Sequence, residues 1–228
     1  MREIVLDTET TGLDPLQGHR IVEIGAVELL NHIPTGKTYH TYINPQRDVP
    51  REAEAVHGLN SAFLKDKPLF SKIADELLEF IGDTALIIHN ASFDVGFLNA
   101  ELGFIKRPLI LYERIIDTLA LAKKRHPMGP NSLDALCKRY GIDIAKRTKH
   151  GALLDSELLA GVYLELIGGR QITLTLPKTD NVRHLQTSNA QAPANRSNPL
   201  PPRLTVDELA RHETLVKSLG ASALWKVS

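Results

Sequence analysis

Two carboxylates near the start of the chain, Asp7 and Glu9, have a spacing that suits metal chemistry. They follow the apolar run Ile4-Val5-Leu6 and precede Thr10-Thr11-Gly12, which reads as a turn. Residues two apart on a strand point to the same face. Like charges this close repel each other, so a divalent cation between them would keep both ionised. Taken alone, an Asp-x-Glu pair is more often two solvated acids at a strand end than a metal site.

Three further side chains are candidates for the same site. Asp94 falls in the first turn of a predicted helix, where a carboxylate is also favoured by the helix dipole alone. Asp155 lies inside another predicted helix, and His150 precedes it. Positions five apart on a helix are separated by about 140°, so His150 and Asp155 can serve one site only if His150 stays in the entering loop. Gly151 favours that break.

Four acids and one histidine at the ends of sheet elements predict a site for two divalent cations. Oxygen ligands favour Mg²⁺ or Mn²⁺ over zinc, which prefers nitrogen and sulfur. Two such ions suit phosphodiester hydrolysis, because one generates hydroxide from water and the other stabilises the leaving oxygen. A loop histidine can take the proton of that water, since its unperturbed pKa is near neutrality.

The elements that must hold these residues alternate between strands and helices. After the first strand, strands are predicted at 20–30, at 37–43 beyond a turn at Pro34-Thr35-Gly36, and at 85–89. Helices are predicted at 71–81, 94–102 with Gly103 as its stop, 116–125, 152–167 and, from an N-cap at Ser132, to Tyr140. This order indicates an α/β domain with a mixed sheet flanked by helices.

Composition limits the class of protein. The 228 residues are 43% hydrophobic and 24% charged, enough for one sizeable domain and a smaller element. The single cysteine, Cys137, excludes an internal disulfide, and no apolar run reaches the length of a membrane span, so we expect a cytoplasmic protein. Because 27 basic residues balance 27 acidic ones, the net charge does not indicate a polyanionic partner.

The C-terminal quarter has a different composition. Residues 177–203 are rich in Asn, Gln, Ser, Ala and Pro and predict a flexible linker. From Leu204 a helical pattern returns, with Thr205 as a possible N-cap and Gly220 as a stop. Its apolar residues are Leu209, Leu215 and Leu219, followed by Leu224 and Trp225. So short a helix predicts docking on a partner protein, with a weak contact to its own domain as the alternative.

In order and spacing, the motifs DTETTG, HNASFD and HGALLD resemble the three exonuclease motifs of the DEDDh 3′-to-5′ exonucleases. The segments EAVHGL, NSLDALCKRYGID and ARHETL…ALW extend the resemblance over nearly the whole chain, to the proofreading exonucleases of bacterial replicative polymerases. The resemblance implies a ribonuclease H-like fold with a mixed five-stranded sheet and an exonuclease domain over residues 1–170.

The resemblance also implies roles for individual residues. The metal ligands would be Asp7, Glu9, Asp94 and Asp155, with Asp7 bridging two ions and His150 acting as general base. Residues that would contact the 3′-terminal nucleotide are Thr10, Gly12, Leu13, Val56, His57, Asn90 and Phe93. For Val56 and Phe93, ordinary core packing is the alternative.

Two segments resemble partner-binding motifs. Residues 171–176 resemble a sliding-clamp peptide with Gln171, Leu174 and Leu176 as its anchors. Residues 204–228 resemble a tail that binds the polymerase alpha subunit, with anchors at Leu215, Leu224 and Trp225. The implied substrate is a single-stranded or frayed 3′ end of DNA. Two alternatives remain, a stand-alone DEDDh exoribonuclease that trims RNA 3′ ends and an adaptor with an inactive metal site. A self-sufficient ribonuclease would not need the linker and the tail, and an inactive site should have lost at least one catalytic residue.

Overall fold

A mixed five-stranded sheet with the order β3-β2-β1-β4-β5 forms the centre of the fold. The computed structural model describes residues 1–145, 149–168 and 205–219. The strands are β1 (Arg2–Thr10), β2 (Ile21–Leu30), β3 (Ile33–Tyr42), β4 (Ala85–Ile88) and β5 (Ile115–Asp117). Strands β1, β2 and β3 form an antiparallel meander, whereas β4 runs parallel to β1 and β5 parallel to β4. The predicted mixed α/β sheet is therefore confirmed.

Helices cover both faces of this sheet. The helices of this unit are α1 (Arg51–His57), α2 (Ser61–Leu64), α3 (Phe70–Ile81), α4 (Ala91–Phe104), α5 (Thr118–Arg125), α6 (Leu133–Tyr140) and α7 (Ala152–Leu166). A separate helix, α8 (Val206–Leu219), follows later in the chain. The side chains of β1 point alternately to the two faces of the sheet, and each face has its own hydrophobic core. Ile4 and Leu6 pack in the core formed with α3 and α4, and Val5 packs with α5, α6 and α7. Asp7 and Glu9 continue the row of Val5, so the strand directs both acids to the side of α7.

Three details of the predicted elements are wrong. The β2–β3 turn lies at Asn31-His32, which both have positive φ, and not at Pro34-Thr35-Gly36, which is inside β3. Proline is tolerated there because β3 is an edge strand. The helix predicted from 116 begins at Thr118, because 115–117 pair with β4 instead. Gly103 does not stop α4, which continues to Phe104.

The chain divides into two compact units, Met1–Leu174 and Thr175–Ser228. Within the second, the predicted tail helix is present as α8. Its first turn is a capping box, because Thr205 Oγ1 accepts from the Glu208 N–H at 3.3 Å and Glu208 Oε2 accepts from the Thr205 N–H at 2.8 Å. Leu209 and Leu215 are exposed on it. The linker, the 171–176 peptide, Gly220, Leu224 and Trp225 lie outside the described residues. None of the described helices is long and apolar enough to cross a membrane.

Candidate active site

Glu9, His150 and Asp155 converge at one end of the sheet. Each offers a ligand atom, and these three atoms lie within 4.8 Å of one another. Asp7 is two residues before Glu9 on the same face of β1. Asp155 is 3% exposed and Glu9 9% exposed, whereas the His150 side chain is nearly half exposed. The structure thus joins buried acids with a histidine that solvent can reach.

Gly25 lets α7 approach the sheet closely enough to form this cluster. It lies directly opposite Asp7 in the β1–β2 pairing. A Cβ atom at position 25 would overlap the backbone of Ala152 and Leu153 at the start of α7. Ser156 reinforces the contact, since its hydroxyl donates to the Gly25 carbonyl at 2.9 Å. The first turn of α7 therefore fits into a notch beside Asp7, and this contact brings Asp155 to the acids of β1.

His150 stays outside α7, as predicted. Gly151 is the extended N-cap residue of the helix. The His150 N–H donates to the Val56 carbonyl at the end of α1, at 3.2 Å. Its imidazole Nδ1 lies 3.1 Å from Asp155 Oδ2. A carboxylate can only accept a hydrogen bond, so Nδ1 carries the proton of this contact, and in the neutral ring the lone pair that can accept a proton lies on Nε2.

Asp94 enters from the other face of the sheet. Strand β4 pairs with β1 from Glu3 to Val5. Beyond Val5, the side chain of Asp94 takes the place of β4 as a hydrogen-bond partner of β1. Asp94 Oδ1 accepts from the Thr8 N–H at 3.0 Å and from the Thr8 hydroxyl at 2.7 Å. Burial raises the pKa of the Asp94 carboxyl to about 7, against these hydrogen bonds, which favour its ionised form. A bound cation would restore the ionised form. Asp94 is not part of the three-atom cluster.

A cavity of about 580 Å³ opens beside the acids. Six of the seven predicted substrate residues line it: Thr10, Gly12, Leu13, Val56, His57 and Phe93. The seventh, Asn90, is instead the left-handed N-cap residue of α4 and does not line the cavity. Leu13 is 85% exposed and Val56 48% exposed, so both present apolar surface at the cavity. Phe93 both lines the cavity and packs against the core.

His57 is a buried part of the cavity wall. Its Nδ1 accepts from the Leu59 N–H at 3.0 Å, and burial lowers its pKa. It is therefore neutral at physiological pH. A Cβ atom on Gly12, also in the cavity wall, would overlap the imidazole of His19, so a larger residue at position 12 would displace that ring.

Sequence reasoning missed helix α1, although it identified Val56 and His57, two of the cavity residues that α1 carries. Pro50, Glu52 and Ala53 line the cavity, and so do Gln17 and His19. A signal for α1 was present. Glu52 lies in its first turn and Gly58 ends it in a left-handed conformation. No local sequence pattern indicated that these residues would line the cavity.

Comparisons with known proteins agree with this geometry. A family model described as Exonuclease matches residues 4–163. The chain is 49% identical to the DNA polymerase III subunit epsilon of Rickettsia felis, over 98% of this chain and 99% of the relative. It is 42% identical to the subunit of the same name from Escherichia coli K12, over 99% of this chain and 97% of the relative.

Solved structures show the same fold. Exonuclease X in complex with 5′ overhanging duplex DNA aligns with a TM-score of 0.58 and 26% identity, over 73% of this chain and 92% of that one. The motifs, the sheet and the family match agree, and the chain belongs to the exonuclease family that this model describes.

Proposed function

We propose that the protein is the proofreading subunit of a bacterial replicative DNA polymerase. It removes mispaired 3′-terminal nucleotides as 5′-mononucleotides by hydrolysing the last phosphodiester bond. The observation that carries the proposal is the Glu9–His150–Asp155 cluster beside an apolar cavity open to an unpaired base. Similarity to polymerase subunits from end to end supports the assignment to replication, which takes place in the cytoplasm.

The donor set fits divalent metal ions, which this exonuclease family uses. Carboxylates concentrated in one buried place repel each other unless cations separate them, and oxygen ligands favour Mg²⁺ or Mn²⁺. We assign two ions to Asp7, Glu9, Asp94 and Asp155. When bound, such ions lower the pKa of water and stabilise the charge of the leaving oxygen.

The chain's own residues supply the proton transfer. Asp155 fixes the His150 ring through Nδ1, so Nε2 can accept the proton of the attacking water. The exposure of the ring lets it return that proton to solvent. Asp155 acts here as the residue that orients the base, in addition to its role toward metal.

The cavity suits an editor that must accept all four bases. Leu13, Val56 and Phe93 offer apolar or aromatic contacts, which stack on any base without reading its edge. An unpaired 3′ end reaches such a cavity more readily than a paired one, because a paired end must first be separated from its template. Preference for mispaired ends therefore follows from access, without a special recognition residue.

Partner binding would compensate for the weak intrinsic affinity expected from zero net charge. In this proposal the tail, with Leu215, Leu224 and Trp225, binds the polymerase alpha subunit. The 171–176 peptide binds the sliding clamp through Gln171 and its two leucines. A flexible tether can supply effective concentrations on the order of millimolar.

The test is removal of a mispaired primer terminus by the full chain with the polymerase alpha subunit present. Trp225→Ala should abolish the stimulation by the polymerase and leave hydrolysis of free single-stranded DNA unchanged. Glu79→Gln, which neutralises an exposed acid of α3 that lines neither the cavity nor any other described pocket near it, is the control and should change neither rate. Equal stimulation of Trp225→Ala and the unmodified chain would contradict the proposed tether.

A further inference from the structure

A second, polar groove lies next to the active-site cavity. It has a volume of about 480 Å³ and is lined by Asn44, Gln46, Arg47, Asp48, Ser61, Ala62 and Lys65. The segment 47–53 separates it from the cavity, because Arg47 and Asp48 line the groove while Pro50 and Ala53 line the cavity. Two residues span at most about 7 Å. Stacked nucleotides rise about 3.4 Å each and an extended strand advances further per nucleotide, so the groove lies within about two nucleotide steps of the cavity.

The groove is built by specific contacts of the loop before α1. Gln46 has a positive φ of 53°, an unfavourable conformation for a residue with a side chain. Asn44 holds it there, because Asn44 Oδ1 accepts from the Gln46 N–H at 2.8 Å. The Asn44 amide also donates to the Lys65 carbonyl at 2.7 Å, which joins the loop to the end of α2. The shape of the groove is therefore set before any ligand arrives.

Arg47 connects the groove to the active-site cavity. Its guanidinium donates to the carbonyl of Gly18, the residue after Gln17 in the cavity wall. This bond fixes the loop beside the cavity and the groove relative to each other.

The groove carries more positive than negative charge. Arg47 and Lys65 are exposed cations, and Asp48 is the acid in its lining. Among the carboxylates of the described residues, none forms an ion pair with either cation. The Ser61 oxygen accepts from the Val49 N–H at 2.9 Å, which leaves its hydroxyl proton to donate. Two cations and a hydroxyl donor match the oxygens of a phosphodiester.

We infer that this groove binds the backbone phosphates of a single DNA strand within about two nucleotides of the 3′-terminal residue. The inference rests on the proposed function, since that function puts the 3′ end in the cavity. Contacts to phosphate carry no sequence information, as an editor of any sequence requires. They would add a local contribution to DNA affinity in a chain of zero net charge, because two cations face the groove.

The test compares a substrate that fills only the cavity with one that also reaches the groove. The p-nitrophenyl ester of thymidine 5′-monophosphate is the first substrate, and a single-stranded DNA 10-mer is the second. Lys65→Ala removes the ammonium and keeps the Lys65 carbonyl that Asn44 binds. Lys124→Ala, on α5 at the other face of the sheet, is the matched control for loss of one charge.

For Lys65→Ala we expect the KM of the 10-mer to rise about 3- to 10-fold at low salt, with kcat and ester hydrolysis unchanged. The slope of log KM against log salt should decrease by about 0.7, as for the loss of one phosphate contact on a single strand. Lys124→Ala should match the unmodified protein in both respects.

Unchanged KM and salt slope in Lys65→Ala would overturn the inference and leave the proposed function standing. An equal loss on the ester and the 10-mer would also overturn it, because the lysine would then act on the cavity itself. Failure of the unmodified protein to hydrolyse either substrate would contradict the proposed function, a separate result.

Discussion

Asp94→Asn should stabilise the metal-free protein while it abolishes activity. The Asp94 carboxyl is 3% exposed, and burial raises its pKa to about 7. Above that pH, without metal, the folded protein must hold a buried negative charge. Asparagine keeps the size of the side chain and an oxygen that can accept both hydrogen bonds from Thr8. It lacks the charge that a cation needs.

The size and sign of the effect follow from the two pKa values. The folded pKa of about 7 lies above the ordinary value of 3.8, so the folded state binds more protons than the unfolded state between them. Stability is therefore lost as pH rises from about 4 through 7. A difference of about 3 pKa units corresponds to at most ~4 kcal/mol. For a domain of this size that is an upper limit of about 8–16 °C in Tm.

The assay is thermal unfolding in EDTA at pH 5 and pH 8. Asp94→Asn should raise Tm by several degrees at pH 8 and by much less at pH 5, where the wild-type carboxyl is already protonated. Gly103→Ala, which changes no titratable group and adds a Cβ atom that meets nothing within 4 Å, should show no such pH dependence. A mutant that is destabilised equally at both pH values would refute the reasoning.

Three further outcomes follow from the same geometry. His150→Ala should lower kcat on single-stranded 3′ ends by roughly 10²–10⁴ with little change in Mn²⁺ affinity, as measured by steady-state kinetics and metal titration. Gly25→Ala should reduce the free energy of unfolding by about 1–3 kcal/mol and reduce activity, because its methyl group displaces α7. Gly103→Ala, where a Cβ atom meets nothing within 4 Å, should change neither the free energy of unfolding in the same denaturation assay nor the activity. Because burial lowers the pKa of His57, the unfolded chain binds more protons below pH 6.5, and stability should fall there. His57→Gln should weaken that acid dependence in thermal unfolding.

Local patterns predicted the parts of the site that depend on neighbouring residues. The two-residue period of a strand predicts that Asp7 and Glu9 share one face, and both residues lie within β1. Gly151 indicated that His150 would stay outside α7, and the structure has it there. The N-cap at Ser132 also needed only local chemistry, and its Oγ accepts from the Ala135 N–H at 3.3 Å.

Local sequence patterns could not predict the contacts between segments that are distant in the chain. The role of Gly25 appears only once α7 is packed against β2, more than a hundred residues later in the chain. β5 has three residues and exists through its pairing with β4, so its sequence alone reads as part of the following helix. The replacement of β4 by Asp94 as a partner of β1 depends likewise on three segments that meet in space.

The central claim is tested most directly by cleavage of 5′-labelled single-stranded DNA and RNA of one sequence, with Mg²⁺ or Mn²⁺. The unmodified protein and Asp7→Ala should be compared side by side. We expect a metal-dependent ladder that shortens from the 3′ end of the DNA, much faster than on RNA and lost in Asp7→Ala. Faster trimming of the RNA, or DNA cleavage that persists in Asp7→Ala, would contradict the account.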